Sequence, residues 1–332
     1  MQIQSIGSYN SYNNYQNSLN KNTKQKTQSF GSFSADANAT NQDDYAFYTL
    51  IHKDYFKMKG SSTRIFRELS SELAIAKLLN PKEKSEIKIL GSADGSEAWA
   101  YAIAVKEAMG DNAKNVKVKG VDIAPYMTEL SNTGCLVLSS IEKDYANNEI
   151  FVSHDKSPLK GKGWHKYLTK TERPEQFNET LKKYPYTKYI EFDPVVNKTI
   201  GNGLEWYDVN KEGLPDVQFE CGDMRKSIKP NNDADNQVYV IANSAAYLLQ
   251  ENPNDFIKLF MDIKEENKNK KDVYVVVGNL ENRFLNSSVM GFVMSSHINA
   301  LGFEHVSDKD LKKLGIKGSQ EAASKIYKLK NE

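Results

Sequence analysis

Apolar and polar positions divide the chain into an unpatterned beginning and a strongly periodic remainder. Residues 1–43 carry Asn, Gln, Ser, Gly and Tyr with few aliphatics. Such a stretch buries too little apolar surface to offset the cost of ordering, so a disordered tail is expected. Order is expected from Asp43: Asp43-Asp44 favours a helix start, and Tyr48, Ile51 and Tyr55 keep helical spacing up to Gly60. Ser61-Ser62-Thr63 can cap a second helix over 64–79, with Ile65, Leu69, Leu73 and Leu78 or Leu79 as its apolar stripe and Pro81 closing it. These elements form a short helical lead-in, 44–84.

The rhythm changes at about residue 85. Short β-branched runs at 88–90, 116–121, 217–220, 237–241 and 273–277 predict strands, with 326–329 as a last one. Helix-forming stretches at 98–109, 125–132, 254–266 and 289–301 separate them. This alternation predicts an α/β domain over 85–332. It fails at about 142–210, an aromatic and lysine-rich segment with Gly161-Lys162-Gly163-Trp164-His165 and a short helix around 173–183. A segment this long is expected to be a functional insertion, not a plain connection.

Composition narrows the function classes. The chain has 332 residues and a formal net charge of +1, enough for one large core and too balanced to demand nucleic acid or an acidic membrane. Cys135 and Cys221 do not make a disulfide framework, and His52, His154, His165, His297 and His305 show no metal-ligand spacing with them, so no metal is expected. With no secretion signal and no apolar run of membrane-spanning length, a cytoplasmic protein without membrane insertion is expected.

The chemistry concentrates in 87–123. A strand leads into Gly91-Ser92-Ala93-Asp94-Gly95-Ser96-Glu97, then a helix, then a strand ending at Asp122. This βαβ unit favours a parallel sheet with a ligand crevice at the strand C-termini. Asp122 at a strand tip is placed to accept both hydroxyls of a ribose. The turn lacks the three glycines of the nicotinamide fingerprint, and its acids would repel a pyrophosphate. An NAD-dependent oxidoreductase is thereby disfavoured. The same acids suit S-adenosyl-L-methionine, which carries an ammonium, a sulfonium and a ribose but no phosphate. Further along, Asp223 is placed to accept from an adenine amine and Met224 to cover the ring, although a surface turn would look the same. Asn243 ends a later strand near the expected methionine end or substrate, with Tyr247 one turn beyond. Plainer roles stand beside these. Arg67 would pair with Glu68 or Glu72 on its own helix, and Tyr247 and Trp99 would be packing residues.

The sequence is similar to the chemotaxis-receptor methyltransferase family, which methylates glutamate side chains using S-adenosyl-L-methionine. The similarity is carried by Ser61-Ser62-Thr63-Arg64-Ile65-Phe66-Arg67, by Ala93-Asp94-Gly95-Ser96-Glu97-Ala98-Trp99-Ala100, and by Asp122-Ile123. Val217, Phe219, Asp223 and Met224, then Asn243 and Tyr247, then Val275-Val276-Val277-Gly278 and Ile326-Tyr327-Lys328 follow in family order. The resemblance covers roughly 61–330. It implies a doubly wound, seven-stranded Rossmann-like methyltransferase sheet with one antiparallel strand, preceded by short helices. It also implies a cofactor site lined by Thr63, Arg67, Glu97, Asp122, Asp223, Met224 and Asn243, with Arg67 and Tyr247 near the transferred methyl and a glutamate-bearing protein substrate. Two motif positions depart from the pattern: Ser61 replaces an asparagine and Ala242 replaces an arginine. The family's helical N-terminal domain is represented only by the lead-in. The Ala242 departure favours, as a second reading, a cofactor-binding relative that serves as a sensor or interaction module without catalysis.

Overall fold

The computed structural model describes residues 65–123, 125–138, 164–172, 175–176, 179, 205–241, 253–277 and 289–330. The expected tail, the expected helix after Asp43 and most of the expected helix around 173–183 lie outside these residues. In chain order the strands are β1 (Ser85–Leu90), β2 (Val116–Asp122), β3 (Cys135–Leu138), β4 (Leu168–Thr171), β5 (Glu205–Val209), β6 (Asp216–Cys221), β7 (Asn236–Val240), β8 (Asp272–Val276), β9 (Phe303–His305) and β10 (Ile326–Leu329). The helices are α1 (Leu69–Leu78), α2 (Ser96–Met109), α3 (Pro125–Thr133), α4 (Pro253–Glu266), α5 (Val289–Ala300), α6 (Asp308–Lys313) and α7 (Ser319–Lys325).

Seven strands form one sheet in the order β6-β2-β1-β7-β8-β10-β9. Strands β6, β2, β1, β7 and β8 run parallel, and β10 is antiparallel to both β8 and β9. The chain winds outward through β1, β2 and β6, then returns to lay β7 against the other side of β1. The doubly wound sheet with one antiparallel strand is therefore present, and its order reverses between β1 and β7. A crevice outside the strand C-termini is expected at that reversal.

Burial explains why the central strand is longer than the run expected at 88–90. Every residue of β1 is buried, although its sequence alternates polar and apolar. Ile87 and Ile89 join the core formed with α1 and α2, together with Val118, Val238 and Val240. On the other face Glu86 and Lys88 are buried as a polar pair. Gln237 Nε2 donates to Glu86 Oε2 at 2.9 Å, and Lys88 Nζ donates to the Ser227 carbonyl at 3.2 Å. A second core, with Tyr239, Val273 and Val275, is covered by Phe256, Leu259, Phe260 and Ile263 of α4.

Two local departures from expectation have physical causes. The helix expected over 64–79 begins only at Leu69. Phe66 has a left-handed backbone, φ 56°, and the chain turns there so that both Ile65 and Phe66 are buried in the core. The stretch 142–210 is not wholly irregular: β4 and β5 lie in it and pair with β3 in a three-stranded antiparallel sheet, order β3-β5-β4.

The aromatic ring of Phe219 on β6 lies against Gly120 of β2 and Gly95 of the turn before α2. A Cβ at Gly120 would stand 2.5 Å from Phe219 Cδ1 and 2.9 Å from Ser92 Oγ. A Cβ at Gly95, where φ is +84°, would stand 2.8 Å from Phe219 Cζ. These glycines let three elements close over one ring. Gly120→Ala is predicted to destabilise by about 1–3 kcal/mol through overpacking. Phe219→Leu should recover part of that loss, so urea melts of the cycle will show the double variant more stable than additivity requires; additive losses would contradict the contact.

Candidate functional site

Register places the ends of β1, β2 and β6 side by side: Leu90 pairs with Val121, and Asp122 pairs with Cys221. The turn after β1 is tied directly to the tip of β2. The Gly91 and Ser92 N–H groups both donate to the Val121 carbonyl, at 2.8 and 2.9 Å. The Ala93 N–H donates to Asp122 Oδ2 at 2.9 Å, and Ala93 takes φ 47° to make that bond. Asp94 Oδ1 accepts the Ser96 N–H at 2.9 Å, at the first residue of α2. Glu97 follows in the first turn of that helix.

Arg67 enters from the turn before α1. Its Nη2 lies 3.7 Å from Glu97 Oε2, and both side chains are more than nine-tenths buried. The expected alternative partners are otherwise engaged. Glu68 Oε2 accepts from Lys325 Nζ at 2.7 Å, in a pair that is almost fully buried, and Lys325 also reaches Glu321 at 2.8 Å. Glu72 Oε1 accepts the Glu68 N–H at 3.3 Å. Burial pushes the Glu68 carboxyl above the usual range against the pull of Lys325. The Arg67 Nε–H is buried with no hydrogen-bond partner. An orphaned buried donor costs about 1–3 kcal/mol.

The electrostatics follow from this set. Burial pushes the Asp94 carboxyl up, the Ser96 hydrogen bonds and the Arg67 charge pull it back, and the Asp122 charge adds to the rise. Glu97 and Asp94 face the Arg67 guanidinium, and Asp122 lies beside Asp94, so this part of the rim carries three carboxyl groups and one guanidinium. A helix N-terminus ordinarily welcomes a phosphate. Here the carboxylates already occupy that place.

Asp223 follows β6 on the same rim and is 8% exposed. Its carboxylate is held by one neighbour. Oδ1 accepts the Arg225 backbone N–H at 2.9 Å and Arg225 Nε at 3.0 Å, and Oδ2 accepts Arg225 Nη2 at 2.8 Å. Met224 is half-buried against the core under α4. The structure thus brings Arg67, Glu97, Asp122, Asp223 and Met224 to the loops at one end of the sheet. Thr63, Ala242, Asn243 and Tyr247 lie outside the described residues.

Two participants had no sequence signal of their own, and a third had only part of one. Lys325 anchors the segment bearing Arg67 from 257 positions beyond its partner Glu68. Arg225 sits two residues from Asp223 and reads as an ordinary surface cation. Asp94 was legible as an acid in the turn, but its action on Arg67 was not. Neither cysteine is a poised nucleophile: burial pushes the Cys221 thiol up, and the Cys135 thiol to about 12. Among the described residues no group of three or more His, Cys, Asp or Glu could hold a metal ion. No helix among them is long and apolar enough to cross a membrane.

Comparison with known proteins adds little. No protein-family model and no curated protein matches the chain. Among solved structures, the plantazolicin methyltransferase BpumL in complex with SAH is similar at 11% identity and a TM-score of 0.32, over 89% of this chain and 92% of that one. A likeness that slight bears on neither fold nor chemistry.

The buried Lys325–Glu68 pair gives a direct test of how Arg67 is held. Lys325→Met should cost about 3–5 kcal/mol, because it leaves a buried carboxylate uncompensated. Glu68→Gln combined with Lys325→Met should recover most of that in chemical denaturation. Equal stability of wild type and Lys325→Met would show that the pair does not anchor the segment.

Proposed function

We propose that this rim binds S-adenosyl-L-methionine and that the protein transfers the methyl group to a carboxylate, that of a glutamate side chain in a protein substrate. One observation carries the reading. Three carboxylates and one guanidinium meet at the strand C-termini, and that guanidinium keeps a buried N–H without an acceptor. The acids suit a ligand with a sulfonium and an ammonium and would repel the pyrophosphate of a nicotinamide dinucleotide. The vacant N–H suits an incoming carboxylate.

Each residue then has a role. Asp122 holds the ribose hydroxyls, with Asp223 and Met224 at the adenine and Asn243 at the methionine end. Thr63 and Glu97 line the cofactor. Arg67 receives the substrate carboxylate, and Tyr247 orients it. When bound, the cofactor supplies an electrophilic methyl on sulfur. The residues contribute alignment and exclusion of water, not a base. A glutamate carboxyl, with a free pKa of about 4.3, is already ionised near neutral pH. The 3.7 Å Arg67–Glu97 contact leaves the guanidinium able to meet the substrate carboxylate, and too tight an Arg67 grip on that carboxylate would stabilise the ground state and slow transfer. A cofactor-binding module without catalysis is the second reading. It is favoured by Ala242 where the resembled family has an arginine.

Calorimetric titration separates these readings from the oxidoreductase. S-adenosylhomocysteine should bind, and Asp122→Ala should weaken it at least about tenfold. Binding of NAD alone would overturn both readings. Tritiated methyl transfer into lysate should give a base-labile label that Arg67→Ala abolishes. No label above that control would leave the sensor. Charge is tested by pH. The Asp94 carboxyl is raised above its ordinary 3.8, so acidification neutralises it earlier than an exposed acid. The preference for sinefungin, which carries an amine where the sulfonium stands, over S-adenosylhomocysteine should therefore fall as the pH is lowered from neutrality into the acid range. Asp94→Asn should flatten that fall, and an unchanged slope would remove Asp94 from the site.

A further inference from the structure

Asp223 does not stand on the rim as a simple acceptor. A carboxylate offers about four acceptor positions. On Oδ1 two are taken, by the Arg225 N–H at 2.9 Å and by Arg225 Nε at 3.0 Å. On Oδ2 one is taken by Nη2 at 2.8 Å, with Nε as a longer arm at 3.2 Å. The fork uses the rigid geometry that a guanidinium has and an ammonium lacks. Arg225 is itself steadied from the far side, its Nη1 lying 3.9 Å from Asp255 Oδ2 in the first turn of α4. Such a carboxylate cannot rotate freely, and one acceptor position is left, on Oδ2.

We infer that Arg225 is a positioning residue that turns Asp223 into a reader of a single donor, the exocyclic amine of an adenine. The inference rests on the adenosyl reading of the rim and adds to it the source of base specificity. With one acceptor position available, Asp223 is unsuited to a ribose diol, which asks for two. That separates its task from the one assigned to Asp122.

An inosyl ring presents a carbonyl where the amine stands and moves its donor to the adjacent ring nitrogen. A carboxylate able to rotate would follow that donor. One clamped by Arg225 cannot, and it meets the carbonyl oxygen instead. The fork, and not the negative charge alone, therefore enforces discrimination.

The test is paired calorimetry with S-adenosylhomocysteine and its inosyl analogue on the full chain, for wild type, Arg225→Gln and Arg225→Lys. Wild type should prefer the adenosyl ligand by about tenfold or more, the worth of about one hydrogen bond. Both variants should bring the ratio below about threefold while still binding the adenosyl ligand. Arg225 is partly exposed, so both should fold, and thermal melts will verify that for each. A ratio unchanged in both variants, or no preference in wild type, overturns the role of Arg225. Failure of wild type to bind either ligand instead overturns the adenosyl reading beneath it.

Discussion

The hydrogen bonds between the tip of β2 and the turn after β1 are the constraint on which the site depends. The Val121 carbonyl accepts two consecutive N–H groups, and the Asp122 carboxylate accepts a third, from Ala93. Backbone donors at a sharp turn must be satisfied, and here the neighbouring parallel strand satisfies them. The arrangement fixes where α2 begins, and with it the direction of Glu97. Gly95 and Gly120 allow the approach because the ring of Phe219 fills the space that their side chains would need.

Charge is then introduced from outside the βαβ unit. Arg67 comes from the lead-in and meets Glu97 across the top of α2. Its segment is held by Glu68, whose buried partner Lys325 lies at the end of α7, just before β10. The last helix thus helps position a residue that precedes the first strand. Burying several charges is expensive, and they persist where each has a partner. Against that background, the Nε–H of Arg67 stands out as a buried donor without an acceptor.

Much of this was legible in the sequence, for definite reasons. The βαβ unit was readable because β2 ends in an acid after a β-branched run and α2 is built of strong helix formers. Asp122, Asp223 and Glu97 could be assigned to one rim because parallel strands share a C-terminal edge. The central strand read at 88–90 extends back to Ser85, because Glu86 is buried through Gln237, a partner distant in sequence. The three-residue β9 is too short to show a period, and β3 and β5 pair across a long intervening stretch. Local pattern also extended α1 toward Thr63, whereas burial of Ile65 and Phe66 bends the chain instead. Lys325 and Arg225 were invisible as participants because only the fold decides which carboxylate each one meets.

The central claim is spatial: acids from three separate strand ends surround one adenosyl group. Crystallography of the protein grown with S-adenosylhomocysteine tests it most directly. The account predicts density for the ribose against Asp122, the adenine between Asp223 and Met224, and the amino-acid end toward Arg67 and Glu97. Density for the ligand in any other hollow, with these side chains left in their mutual contacts, would contradict it.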